Sequence, residues 1–122
     1  MKVYKIMKNK KRLLIPVVIL LLAILTTMAV FAGTETYTLD TGGSVTITDA
    51  SKDYIITQEN STTATANTVT VDVGAGNPVN ITIRDINISS AGCAFKIVSG
   101  TVNLTLAGNN MLQSGSKYAG LQ

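Results

Sequence analysis

Arg84 and Asp85 are adjacent, and Asp72 lies a short way upstream. A base and acids so placed could abstract and return a proton beside a sugar carboxylate, which is the chemistry of polysaccharide lyases. Asp49 with Asp53, or Asp72 with Asp85, would be the pairs for glycoside hydrolysis, which needs two carboxyl groups about 5–10 Å apart. The spacing Asp49-x-x-x-Asp53 is too sparse for a calcium loop, which gathers six or more oxygens at about 2.4 Å. With no histidine and one cysteine, Cys93, the chain has no donor set for zinc or another transition metal. Gly42-Gly43 and Gly74-Ala75-Gly76 precede no helix and no Gly-Lys-Ser/Thr, so they read as turns, not phosphate loops. Arg84 and Asp85 read as a solvated pair, and no catalytic residue, metal or cofactor is assigned.

Hydroxyls and amides are more plentiful than charges. Thr46, Thr48, Thr70, Asn80, Thr82, Asn103 and Thr105 fall on the polar side of alternating segments, where they could hydrogen-bond sugar hydroxyls. Any solvated strand face has a similar composition. Sugar sites usually add an aromatic ring against the C–H face of the ligand. Of the later aromatics, Tyr54 and Tyr118 are expected at strand or turn edges, and Phe95 in the core. The expected ligand-binding set is therefore Asn80, Thr82, Asn103, Thr105, Tyr54 and Tyr118. Four sequons, at Asn60, Asn80, Asn87 and Asn103, mostly fall on strands and are discounted as glycosylation sites.

The elements that would carry these residues repeat. VNITIRDINISS at 79–90 is echoed by VNLTLAGNNMLQ at 102–113, an offset of 23 residues. In each copy apolar residues alternate with Asn and Thr, as in a half-buried strand. Val45 to Val69 and Ile55 to Val79 repeat at 24 residues. Units of this length with an open apolar face bury it only by stacking. Three ladders are expected: Val45 and Ile47 under Val69 and Val71, and these under the 95–98 strand; Ile55 under Val79 and Val102; Ile86 and Ile88 under Met111 and Leu112. Asn87 and Asn110 fall at one bend, where they either stack across coils or each accommodate a turn. The polar run 58–67 is expected as a surface excursion. The fold class is thus all-β, a parallel β-helix of about three coils.

Residues 1–32 are of a different kind. Six of the ten basic residues lie within the first twelve positions, an apolar run covers 13–25, and Val30-Phe31-Ala32 has the small-x-small pattern of a cleavage site. A signal peptide cleaved after Ala32 is expected; the alternative is an uncleaved anchor over 13–32, about the length that spans a bilayer. Either form puts the domain at 33–122 outside the cytoplasm, extracellular or at the cell surface. That domain holds four basic and seven acidic residues, a net charge of −3, which argues against nucleic acid as a partner. A lone cysteine excludes an internal disulfide, and Cys93, beside Gly92 and Ala94, is expected as a small buried hydrophobe.

The wording from Val79 to Leu121, with Gly92-Cys93-Ala94-Phe95 and Gly100-Thr101-Val102-Asn103-Leu104-Thr105-Leu106, resembles secreted proteins of Gram-positive gut bacteria described as carbohydrate-binding-domain-containing. The resemblance covers about half of residues 33–122 and implies a pectin-lyase-like right-handed β-helix, usually with further coils. It implies a polysaccharide or cell-wall glycan as partner. The ending within a strand-like segment, 118–122, suggests a chain that continues or an end that associates with another copy. Two other functions stay open: a structural or adhesive module with a protein partner, and a lyase or hydrolase fragment.

Overall fold

The computed structural model describes residues 33–122. The expected signal segment, residues 1–32 with the apolar run 13–25, lies outside the described residues. Among the described residues no helix is long and apolar enough to cross a membrane.

Among the described residues there are nine strands and one turn of helix: β1 (Thr34–Thr38), α1 (Leu39–Gly42), β2 (Val45–Ile47), β3 (Asp53–Thr57), β4 (Val69–Asp72), β5 (Val79–Arg84), β6 (Asn87–Ser89), β7 (Phe95–Ser99), β8 (Val102–Ala107) and β9 (Met111–Gln113). They form three sheets, ordered β1-β3-β5-β8, β2-β4-β7 and β6-β9, with every pair parallel. Single bridges add a rung to two of them, Thr65 beside Ile88 and Leu121 beside Phe95. From β2 onward the chain visits the second, first and third sheets in a constant order. Each strand therefore pairs with its equivalent from the preceding circuit.

The inner faces meet in one core. Val45, Val69 and Phe95 share one row, Ile47 and Val71 another, and Tyr54 lies beside Ile81 while Ile56 lies beside Ile83. All nine of these side chains are buried, as are Val79, Ile86 and Ile88. Each such aliphatic side chain contributes about 1.5–3 kcal/mol by leaving water. The alternation of apolar and polar residues in β4 and β5 is what turns every second side chain inward.

Two registers differ from the expected ladders, and the 58–67 loop is held more firmly than its composition implies. Val45 does pair with Val69, but Asp53 pairs with Asn80, an offset of 27, so Ile55 lies beside Thr82 and not under Val79. The link from β4 to β5, which contains Gly74 to Pro78, is three residues longer than the link from β2 to β3. An odd shift exchanges the faces of a strand. Tyr54 and Ile56 thus point inward, and Ile55 is half-buried on the outer side. The run 58–67 lies mostly on the surface, as expected, but it is tied to the stack. Gln58 is buried and donates from Nε2 to the carbonyls of Asn60 and Thr63 at 2.9 and 2.7 Å, while its Oε1 accepts the Asn87 N–H at 2.8 Å. Thr65 then serves as the first rung of the third sheet. Finally, Asn87 and Asn110 do not stack. Asn87 pairs with Met111, its Nδ2 donates to the Ser61 carbonyl at 3.0 Å, and Asn110 Oδ1 accepts the Ile86 N–H at 3.2 Å.

The N-terminal end of the stack is closed by β1 and α1. Tyr37 stacks on Tyr54 with ring centroids 6.2 Å apart, Leu39 is buried, and Glu35 is paired with Lys52. Asp40 accepts the N–H groups of Glu59 and Asn60 at 3.1 and 2.9 Å. The Asn60 N–H, with that of Glu59, holds the Asp40 carboxyl below the ordinary aspartate range. Because the ionised form is the bound form, this contribution is present above the aspartate pKa of the unfolded chain. It is lost as pH falls through the lowered folded value. Amide exchange of Glu59 and Asn60, followed by NMR from neutral pH toward pH ~3, should quicken relative to that of Ile83. Equal relative protection across that range would refute the tie.

Candidate functional site

Six of the seven acidic residues hold neighbouring structure. Glu35 bonds Lys52 and Tyr37, Asp40 ties Glu59 and Asn60, and Asp49 Oδ1 accepts the Ser51 N–H at 2.8 Å. Asp53 Oδ1 accepts from Asn80, Asp72 accepts from the Ser99 hydroxyl, and Asp85 Oδ1 accepts the Asn109 N–H at 2.9 Å. Asp85 adopts a positive φ of 50° to make that turn. Arg84 is exposed, and its neighbours along the sheet are Thr57 and Ala107. Among the described residues no group of three His, Cys, Asp or Glu side chains could hold a metal ion.

Four of the expected ligand residues share the outer face of the first sheet. Asn80 pairs with Asn103 and Thr82 with Thr105, so they form two adjacent rows. The amides bond one another: Asn80 Nδ2 donates to Asp53 Oδ1 at 2.9 Å, and Asn103 Nδ2 donates to Asn80 Oδ1 at 3.0 Å. That ladder engages the Asn80 amide at both ends and the Asn103 amide at its nitrogen. The remaining side chains of this face, from β1 and β3, include no aromatic ring.

Tyr54 does not belong to a ligand surface. It is only 4 % exposed, and its hydroxyl donates to the Asp49 carbonyl at 2.8 Å. The register shift that inverts β3 carries the ring into the core. Burial, followed by the nearby Asp49 and Glu35 charges, raises its pKa above the ordinary tyrosine value.

Tyr118 is 52 % exposed and lies by the second sheet, not with the Asn80 and Thr82 rows of the first. It lines an open groove of about 340 Å³ with Thr68, Thr70, Ser90, Lys96 and Gln122. Thr46, Thr70 and Lys96 are successive rungs of one outward row on the second sheet. Gln122 follows them, because its N–H donates to the Phe95 carbonyl at 3.0 Å and its carbonyl accepts from Ile97 at 2.7 Å. Tyr118 is carried by a turn in which its N–H bonds the Gly115 carbonyl at 2.9 Å. Gly115 in turn donates to the Gly92 carbonyl at 3.0 Å, and a Cβ there would stand 2.0 Å from the Ala91 oxygen. Only glycine lets the turn lie so close to the preceding circuit. Lys96 is the only charged side chain lining the groove among the described residues, and Lys117 adjoins Tyr118 in sequence. It can offer an aromatic face, hydroxyl donors and acceptors, and an ammonium group to one ligand.

Cys93 also lines this groove and is half-buried, not a core residue. Its Sγ lies 3.1 Å from the Phe95 carbonyl, which draws the thiol to the rim. The role of Thr68, Ser90, Lys96 and Gln122 was not legible in the sequence, because the repeat aligns strands and says nothing of which turns lie against them. Comparison with protein-family models, with curated proteins and with solved structures returns no match for this chain.

Proposed function

We propose that this chain is an exported, non-catalytic carbohydrate-binding module built as a right-handed parallel β-helix of about three coils. The constant order in which the chain visits three parallel sheets supports the helical path. Right-handedness follows from the strong bias of parallel crossover connections, about 98 % of which take that hand. Export rests on the basic, apolar and small-x-small segments of residues 1–32, which act as a signal peptide or a membrane anchor.

The observation that carries the binding reading is the half-exposed Tyr118 ring beside Lys96 and the Thr68, Thr70 and Ser90 hydroxyls in one groove. A sugar ring can lie its C–H face on the tyrosine while its hydroxyls meet the threonines and serine. The ligand is a polysaccharide or cell-wall glycan, held by the groove and not by the self-bonded amide ladder of the first sheet. Engagement of the acidic side chains in structural hydrogen bonds favours binding over lyase or hydrolase chemistry.

Retention on insoluble plant and bacterial cell-wall polysaccharides is the direct test. The chain should be retained above an unrelated β-solenoid, and Tyr118→Ala should weaken retention several-fold to about tenfold, as loss of one stacked ring does. Asn103→Ala should change it little. Equal retention of the chain and the unrelated solenoid would overturn the reading. A structural or adhesive role with a protein partner is the second reading, motivated by the apolar edge of β8.

A further inference from the structure

Lys96 is exposed on the outer face of β7, and its exposure does not arise at an end of the stack. Thr70 flanks it one circuit before and Gln122 one circuit after, each about 4.8 Å away along the stack. Among the described residues the only ion pair is Lys52 with Glu35, so the Lys96 ammonium meets no carboxylate within that reach. Asp72, the one acid in the three strands of this sheet, lies opposite Ser99 and accepts its hydroxyl. A strongly hydrated point charge is thus left unspent on a domain whose net charge is −3.

The polar groups of the groove are weighted toward donation. Ser90 Oγ accepts the Gly92 N–H at 3.1 Å, which leaves the hydroxyl hydrogen for a ligand. Lysine brings three N–H donors and no acceptor. The Cys93 thiol is already turned to the Phe95 carbonyl, and no carboxylate among the described residues lines the groove to receive a sugar hydroxyl. Neutral sugars offer hydroxyls, which need acceptors as well as donors. An anionic oxygen group needs donors only.

We infer that the groove selects an anionic glycan, one whose repeating unit carries a carboxylate or a phosphodiester, and seats that charged group on Lys96. The inference rests on the carbohydrate-binding reading and adds to it the charge of the ligand. The sugar ring keeps the Tyr118 face, and the Ser90 hydroxyl supplies a further donor. An arginine fork would favour a planar, bidentate partner, but a lysine acts as a point charge and receives a planar carboxylate or a tetrahedral phosphodiester alike.

Retention of the full chain, in a mild detergent that keeps residues 1–32 dispersed, on alginate (a uronate polymer), wall teichoic acid (a phosphodiester polymer) and neutral mannan tests the charge. At least one charged polymer should hold the parent about three- to tenfold better than it holds Lys96→Gln, the gain of one charge-assisted contact. The polymer that shows the loss identifies the source of the charge, and the loss should exceed that on mannan. Raising salt from about 0.1 M to about 1 M, which shortens the screening length from about 10 Å to 3 Å, should remove most of it. The basic residues at positions 2–12 give every variant the same background on charged polymers, so the difference between variants is what is read. Arg84→Gln removes one exposed charge from the first sheet and should change nothing. Both positions are exposed, and the circular dichroism of both variants should match that of the parent. If Lys96→Gln is held like the parent on both charged polymers, or Arg84→Gln loses as much, the inference is overturned. Loss from Tyr118→Ala in that case leaves the carbohydrate reading standing, whereas no loss from it on any of the three polymers overturns that reading too.

Discussion

Phe95→Ala should lower the unfolding free energy by about 3–5 kcal/mol, the range for removing an enclosed aromatic side chain. The ring is wholly buried at the start of β7, with Val69 on one side of its row and Leu121 bridged on the other. Neither neighbour can collapse into the vacated space without breaking a parallel ladder. Domains of this size have about 5–15 kcal/mol in total, so the substitution takes a large share of it. In urea, where the slope for a small domain is about 1–3 kcal/mol per M, the midpoint should fall by about 1 M or more. A shift below ~0.3 M would mean that the side chain is not enclosed.

Gly100→Ala should have a comparable effect for a different reason. Gly100 turns the chain from β7 into β8 with φ of +96°, and a Cβ there would meet Val73 Cγ2 at 2.3 Å and the Gly74 carbonyl oxygen at 2.8 Å. The left-handed conformation costs alanine about 1–2 kcal/mol. Crowding adds about 1–3 kcal/mol, because the Val73 methyl can rotate away but the Gly74 carbonyl belongs to the facing turn. Gly74 supplies the control. It also has a positive φ, of 71°, but a Cβ there meets nothing within 4 Å. Gly74→Ala should therefore show the conformational part alone, and the difference between the two melts measures the contact between successive turns. If the two variants melt together, the turns are not in contact.

The strands were legible where their inner residues are aliphatic. Alternating Val, Ile and Leu mark β2, β4, β5 and β8, and the 23- and 24-residue echoes put β5 beside β8 and β2 beside β4 as observed. β1 was not legible, because its inward positions are Glu35 and Tyr37, whose polar groups satisfy each other and Lys52 at the end of the stack. β3 was found but turned over. Its alternation Tyr-Ile-Ile-Thr allows either face to be the inner one, and only the length of the β4–β5 link chooses. That choice removed Tyr54 from the candidate surface. Tyr118 remained a candidate, but its companions in the groove come from turns that the echo does not align.

Sequence alone determined the all-β class, the parallel pairing of equivalent segments, and a polar outer surface over an aliphatic core, because alternation and a fixed period express side-chain burial directly. Tertiary structure decided everything that depends on link lengths and on what lies across a turn. It set the three-residue offset of β3, the use of Asp40, Asp53, Asp72 and Asp85 as structural acceptors, and the meeting of Tyr118 with Lys96. A period records which residues stack, while a groove depends on how far each turn reaches around the stack, and that distance is fixed only when the core closes.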